Sequence, residues 1–434
     1  MNSEKSKTLL FYLSSIKPYS DKIPYFRKVA KNLWIINWKI TLKLKSIKLS
    51  IDLEKIYWVS PNAIKYTRRE VYHNALSHYK FRNVEKILIK DWDLPPNIIK
   101  VEECKSYKAF YAHFIEGKEW QDTDFYKIEL NWVKAGMIRW GCSSEREFIE
   151  RFKKLDDLYK DIKNNGLKTQ KMLGKKGILK HKGIREIEDE ISIVIGRNGD
   201  LIRYDAQHRF AIAKILNIDR LPIQILFRHE KWMEFRKEIL TFIRRETNGK
   251  AYQPLLHPDL SDIPSVWSDK RFEIIRDSLG IKSGTLLDIG AHWGYFCHKF
   301  EGIGFQCTAF EDLPENLYFL KKLKRAGDMN FKVIDQPIYD FKDNLHFDIV
   351  LMLNLSHYIF EKKEIYNQFV KLLRKMKTSE IYFQIDPPLE MKEGSIHRNC
   401  LREDIINGVI KNINLKNVDC IGEIKGSKIF KLYN

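Results

Sequence analysis

The stretch GTLLDIGAHWGYFCHKFEGIGFQCTAFED, Gly284 to Asp312, restricts the fold more than any other part of the 434-residue chain. Thr285–Ile289 reads as a buried strand that carries Asp288 near its tip and ends in a glycine-bearing turn before a helix. Gly290 and Gly294 let the backbone turn sharply and come close to a ligand, as nucleotide-binding βα loops require. FQCTAFE reads as the next strand. Glu311 at its end is, when ionised, an acceptor-only group able to take both hydroxyls of a ribose. Strand–helix alternation of this kind continues to the end of the chain and demands a parallel sheet covered by helices on both faces.

The length holds two domains, or three small ones. Apolar residues make up 44% of the sequence, which is ordinary for a folded chain. Six cysteines (Cys104, Cys142, Cys297, Cys307, Cys400, Cys420) lie without CxxC or Cys/His ligand spacing. That argues against a disulfide scaffold or a zinc site, and no metal is expected. Met1 is not followed by the apolar core of a signal peptide, and no window reaches the ~20 apolar residues of a membrane span. The expectation is a cytoplasmic protein.

The net charge of +19 is unevenly placed. Residues 251–434 hold about 25 basic and about 25 acidic side chains, so the whole excess sits in the first 250 residues. A basic half can serve nucleic acid, anionic lipid or a phosphorylated substrate, and a lysine-rich coding bias would leave the same mark. No RNA-binding module, zinc finger or aromatic–glycine pattern accompanies the charge, which disfavours nucleic acid as a partner.

Along the chain, Trp34, Ile36, Trp38, Ile40, Leu42 and Leu44 alternate with polar residues, a period suited to a half-buried strand. A membrane-surface segment is the alternative, though the period is wrong for a helix, and it leaves weak peripheral membrane contact open. Residues 143–165 read as a helix capped by Ser143 or Ser144 and ended by Gly166. Residues 191–229 read as strand, Asn-Gly turn, strand, helix, strand. Proline and glycine mark 246–270 as a linker. The divisions are an extension (1–50), a first domain (51–245), that linker, and a second domain (271–434).

Two features separate the glycine loop from a dinucleotide site. It reads D-x-G-x-x-x-G rather than G-x-G-x-x-G. FDIVLMLNLSHYI then gives a strand, Asp348–Leu353, running into Asn354, Ser356 and His357. Residues 280–434 thus resemble the class I S-adenosylmethionine-dependent methyltransferases, with three motifs in the family's order and spacing. The resemblance implies a Rossmann-like α/β sheet, mostly parallel, with an antiparallel last strand, and S-adenosyl-L-methionine as cofactor. It implies that Asp288, Gly290, Ala291, His292 and Gly294 line the methionine end. Glu311 would take the ribose, Asp335 after FKVI would face the adenine amino group, and Asn354 would lie beside the cofactor. His357 falls where some members place a base. Trp293 and Tyr295 read as packing under the loop. DPPL at Asp386–Leu389 resembles the motif of amino-methyltransferases acting on DNA bases, but it follows the fifth strand and ends in Leu389, so it reads as a proline loop.

In the basic half, Tyr204–Asp205 ends a strand and Gln207–His208–Arg209 opens a helix, where backbone N–H groups and a guanidinium suit an anion. This turn resembles the core of the ParB/sulfiredoxin-like fold, an α+β domain whose members hold nucleotide phosphates there. The resemblance implies a nucleotide or phosphate pocket of Asp205, Gln207, His208 and Arg209. The arginine-rich box of the DNA-segregation members is missing, and Gln207 precedes His208 where sulfiredoxins carry their cysteine. The leading expectation is a methyltransferase acting on a small molecule, phosphorylated or nucleotide-linked, beside a nucleotide-binding domain. Its rival is a nucleotide-binding enzyme of small-molecule kinase type with a degenerate methyltransferase module.

Overall fold

The computed structural model describes residues 55–69, 90–173, 190–341, 345–355, 359, 363–384, 402–413 and 415–434. The strand expected over 34–44, Ser356 with His357, and the proline loop at 386–389 lie outside these residues.

The first half builds β1 (Ile56–Val59), β2 (Tyr66–Arg68), β3 (Ile98–Lys100), α1 (Lys105–Phe114), α2 (Asp124–Lys134), α3 (Glu145–Asn165) and the single turn α4 (Gln170–Leu173). It continues through β4 (Ile191–Ile195), β5 (Leu201–Arg203), α5 (Gln207–Ile215), β6 (Leu221–Arg228) and α6 (Glu230–Glu246). The pattern read over 191–229 is therefore present in full. Ser144 caps α3 by accepting the Glu147 amide, and Gly166 ends it in a positive-φ conformation. The strands form a six-stranded sheet in the order β1-β6-β4-β5-β2-β3, in which antiparallel and parallel pairs alternate. Every residue of β4 is buried: α1, α3 and α5 bring Phe110, Phe148, Phe152 and Phe210 into the cluster that holds Ile191, Ile193 and Ile195, and Val194 packs in a second cluster with Ile98 and Ile202. Each such side chain taken from water contributes roughly 1.5–3 kcal/mol.

The second half runs α7 (Lys270–Asp277), β7 (Gly284–Ile289), α8 (Tyr295–Glu301), β8 (Phe305–Phe310), α9 (Pro314–Ala326), β9 (Lys332–Ile334) and β10 (Ile349–Leu353). It ends with α10 (Lys363–Lys375), β11 (Glu380–Gln384), α11 (Arg402–Asn412), β12 (Asn417–Ile424) and β13 (Ser427–Tyr433). The seven-stranded sheet has the order β12-β13-β11-β10-β7-β8-β9. Its five strands from β9 to β11 pair parallel, and β13 joins β11 antiparallel. Period two is visible in the cores: Leu287, Val350, Met352 and Ile381 face one cluster, while Leu286, Ile349, Leu351 and Tyr382 face the other. Both faces are covered, which is why these strands read as unbroken apolar runs.

The strand order reverses between β7 and β10. Helices leave the sheet in opposite directions there, and the strand tips open a crevice in which α/β sheets bind ligands.

The segment between the sheets is anything but loose. The Val266 and Trp267 amides donate to the Ala251 and Tyr252 carbonyls, and Ala251, Leu255, Leu260, Ile263 and Trp267 are buried. Buried Asp259 accepts from Arg228 and from the Trp232 indole at 2.9 Å. The His257 ring meets the Gly199 carbonyl at 2.9 Å. The two halves also share one hydrophobic cluster, in which Trp232, Phe235, Ile239 and Ile243 of α6 meet Trp293, Phe319 and Leu323. Arg245 pairs with Glu315 at 3.0 Å, and the Tyr318 hydroxyl donates to Glu238 at 2.5 Å on the same seam. Among the described residues no helix is long and apolar enough to cross a membrane.

Candidate functional site

At the tip of β7 the backbone takes three positive φ values within five residues: Gly290 at 69°, His292 at 52° and Gly294 at 80°. Glycine is required at 290, since a Cβ there would stand 2.6 Å from Leu355 Cδ2. His292 has no such freedom, and its left-handed conformation costs on the order of 1 kcal/mol. What holds it is Glu311. Its Oε2 accepts the His292 amide at 2.7 Å, and its Oε1 accepts the Leu313 amide at 3.1 Å and the Asn316 side chain at 3.4 Å. The carboxylate expected at the end of the second strand thus faces the glycine loop. Burial raises its pKa, and the Leu313 and His292 amides oppose that rise.

Asp288 lies opposite Leu351 of β10 and Ala309 of β8, 3% exposed. Burial pushes its carboxyl up to about 7; Arg271 works against that rise and Glu311 adds to it. Ala291 is buried, and its amide donates to the Phe310 carbonyl at 2.9 Å. Trp293 packs on Phe242 and Phe319, beneath the loop as expected. Asp335 stands apart at the tip of β9, exposed and paired with Lys321 at 2.9 Å, which holds its pKa below the usual range. Asn354 at the tip of β10 has a φ of 57° and is buried. Its Nδ2 donates to the Tyr252 hydroxyl at 2.7 Å, and its Oδ1 is buried without a partner.

Three residues that the sequence motifs do not mark complete the site: Tyr252, Trp267 and Arg271. Arg271 is 1% exposed. Its guanidinium lies 4.5 Å from the Trp267 ring, 5.2 Å from that of Phe296 and 6.0 Å from that of Tyr252. It donates to Gln384 Oε1 at 3.3 Å and hydrogen-bonds Tyr252. The His292 ring sits 5.2 Å from Tyr252, and burial followed by Arg271 keeps it neutral, with a pKa of about 4. Around this corner the Trp267 Nε1, His292 Nδ1 and Asn354 Oδ1 atoms are buried and unpartnered. Buried polar atoms are nearly always satisfied, so each of these three is open to a further polar partner, water or ligand.

The four residues proposed for an anion pocket also come together, at the turn from β5 into α5. Asp205 is exposed and its Oδ1 accepts the amide of Ala206, itself left-handed at 58°. Gln207 is half-buried. Arg209 is buried, donating to the Lys168 carbonyl at 2.6 Å and lying 3.5 Å from Glu190. His208 stacks on Phe110 at 5.5 Å with Trp140 edge-on at 5.0 Å. Burial, with Arg151 and Arg203 adding to it, drives its pKa down to about 3, so at neutral pH it lends no charge to an anion. Among the described residues no cluster of His, Cys, Asp and Glu could hold a metal ion.

No protein-family model and no curated protein sequence matches the chain. Solved structures align with part of the chain at low identity. The bifunctional kinase-methyltransferase WbdD aligns over 45% of this chain and 45% of its own, with 17% identity and a TM-score of 0.35. The N-methyltransferase NodS from Bradyrhizobium japonicum WM9, in complex with S-adenosyl-L-homocysteine, aligns over 38% of this chain and 86% of its own, at 15% identity and a TM-score of 0.31. The PH0226 protein from Pyrococcus horikoshii OT3 aligns over 38% and 88%, at 15% and 0.30. The chain spans less than half the length of WbdD.

Proposed function

We propose that the second sheet is the catalytic core of an S-adenosylmethionine-dependent methyltransferase acting on a small molecule. One observation carries the reading: buried Glu311 accepts the His292 amide of the glycine loop, and buried Asp288 near the end of β7 lies in electrostatic reach of Glu311, at the point where the strand order reverses. A dinucleotide would bring a pyrophosphate to that loop, against both carboxylates. A sulfonium nucleoside brings a positive charge, which the same carboxylates favour. The resemblance implied a mostly parallel sheet with an antiparallel last strand, and the parallel strands β9 to β11 closed by the antiparallel pair β12–β13 support the same assignment.

Bound there, the cofactor supplies a methyl group open to in-line displacement. The chain's part is alignment. Gly290 brings backbone close to the ligand, Glu311 accepts the ribose hydroxyls while fixing the loop through His292, and the neutral His292 ring adds no repulsion to a cation. Asp335 keeps the adenine-side role proposed for it, by exchanging Lys321 for the ligand. His357 remains the proposed base for a hydroxyl or amine acceptor, two residues after the described Leu355. The acceptor is proposed to be phosphorylated or nucleotide-linked. Titration calorimetry with S-adenosylhomocysteine tests the assignment: heat with the wild type and none with Glu311→Ala is expected, while no heat, or equal heat from both, overturns it.

A second reading has one observation in its favour: Arg151, Arg203 and Arg209 gather around the β5–α5 turn. It makes the first half a nucleotide-binding enzyme of kinase type and the second a degenerate module. Nucleotide turnover that survives Asp288→Ala and disappears with Arg209→Ala would establish it.

A further inference from the structure

Glu311 belongs to the second sheet, yet the two segments that hold it lean on the first half. Trp293 lies between His292 and Gly294, both left-handed, and its indole N–H is buried with no acceptor. No hydrogen bond fixes that ring, so packing sets its place. Phe242 of α6 meets it at 5.5 Å and Phe319 of α9 at 4.6 Å, and these two rings lie 5.1 Å apart. The residue before Trp293 is His292, whose amide donates to Glu311 Oε2. The second backbone donor to Glu311 is the Leu313 amide, just ahead of α9. Two residues further on, Glu315 pairs with Arg245 of α6 at 3.0 Å, and the Arg245 guanidinium covers the Phe242 ring at 5.4 Å. A single turn of α6 therefore touches the chain one residue from one donor and two residues from the other. The far end of α9 is seated on the first half too: a Cβ on Gly199, in the turn between β4 and β5, would stand 2.6 Å from Ala326 Cβ.

We infer that helix α6 of the first half is a positioning element of the cofactor site: Phe242 and Arg245 keep the His292 and Leu313 amides on Glu311. The inference rests on the proposed methyltransferase reading and deepens it, because it names what sets the affinity of that site, the seam between the two halves. Neither residue reaches the ligand; both act through Glu311. A left-handed backbone is a minor state for any residue other than glycine, so His292 keeps it only where its surroundings hold it. Once the Phe242 ring is gone, Trp293 loses one of its packing walls and the loop spends part of its time away from Glu311. Apparent affinity then falls by the fraction of molecules that leave the competent state. The Arg245–Glu315 pair is exposed on both sides and adds a smaller share, screened by salt.

Two measurements on the intact chain test it: amide hydrogen exchange of the peptides covering 290–296 and 311–317 without ligand, and titration calorimetry with S-adenosylhomocysteine. Phe242→Ala should speed exchange in both peptides by about 5-fold, with peptides from β4 and β10 as in wild type, and should weaken S-adenosylhomocysteine by about 5-fold. Phe242→Leu, which refills most of the space beside Trp293, should recover the affinity to within about 2-fold of wild type. Arg245→Glu sets like charges against Glu315 and should cost about 3-fold, restored by adding Glu315→Arg. This exposed pair decides the matter if Phe242→Ala fails to fold, and a loss that the charge swap does not restore then counts against the inference. Affinity that does not fall in Phe242→Ala overturns it and leaves the methyltransferase reading intact. So does exchange that stays unchanged, or that rises evenly over both sheets, which is the mark of a merely structural residue. No heat from wild type with S-adenosylhomocysteine overturns the methyltransferase reading and this inference with it.

Discussion

Arg209 and Arg271 are both buried arginines near the start of a helix, and they have opposite surroundings. Arg209, in the first sheet, gives one N–H to the Lys168 carbonyl and faces the Glu190 carboxylate. Arg271, beneath the second sheet's strand tips, faces rings and neutral oxygens. A buried charge answered by the protein's own carboxylate and carbonyl is a brace. One answered by π faces beside unsatisfied polar atoms is a socket. The division holds at the two arginines: Arg209 is answered by the Lys168 carbonyl and the Glu190 carboxylate, although His208 Nε2 and Arg151 Nε near it are buried without a hydrogen-bond partner, and Arg271 is answered by rings and neutral oxygens.

The comparison is easiest to break at Arg209. Arg209→Ala removes the cation that faces buried Glu190 and should lower unfolding stability in urea by about 3 kcal/mol, with S-adenosylhomocysteine affinity unchanged. If stability holds and nucleotide binding is lost instead, Arg209 is a socket too. Next in size is Glu311→Gln, which keeps the shape but removes the charge proposed to meet the ribose and the cation. It should weaken S-adenosylhomocysteine by about 2 kcal/mol in calorimetry.

Asp288 sharpens the contrast through pH. Its folded pKa, about 7, is above the ordinary carboxylate value of 3.8. The folded chain therefore holds a proton that the unfolded chain releases, so this contribution to stability is full below pH ~4 and is lost as pH rises through ~7. Asp288→Asn should flatten the urea midpoint between pH 5 and 8 and gain on the order of 1 kcal/mol over wild type at pH 8, while weakening cofactor binding. Wild-type binding of a cation should also release protons near pH 7, visible as a binding heat that changes with buffer. The smallest effect is expected at His208. Its pKa of about 3 leaves it uncharged, so His208→Phe should shift stability by less than about 1 kcal/mol and add no pH dependence between 5 and 8. A large loss of anion binding in that variant would contradict the brace.

Much of the second sheet was legible because its signals are local. An apolar run, two glycines at the loop and an acid some twenty residues on are held within one βαβ unit, and the structure puts Glu311 on the His292 amide. The closing antiparallel pair was readable from Asn417–Ile424 and Ser427–Tyr433 for the same reason. Arg271 was hidden, since SDKRFEIIRDSLG has the charge density of a solvated helix and nothing in it says that the second residue of α7 points inward. Tyr252 and Trp267 were hidden by their prolines. A loop composition says nothing of burial, and Tyr252 meets Asn354 across 102 positions of sequence. In the first sheet, β2 and β3 are three residues each, too short for a period of two to register. His208 and Arg209 were legible as a pair at a helix start. Their partners Phe110, Trp140 and Lys168 come from distant elements, and those decide between brace and socket.

The central claim is that the buried carboxylates at the glycine loop select a cation over a pyrophosphate. Side-by-side titration of the intact chain with S-adenosylmethionine and with NAD at one pH and one salt concentration tests it directly. The sulfonium ligand should bind tighter by about 100-fold or more. NAD binding as tightly, or more tightly, would contradict the account.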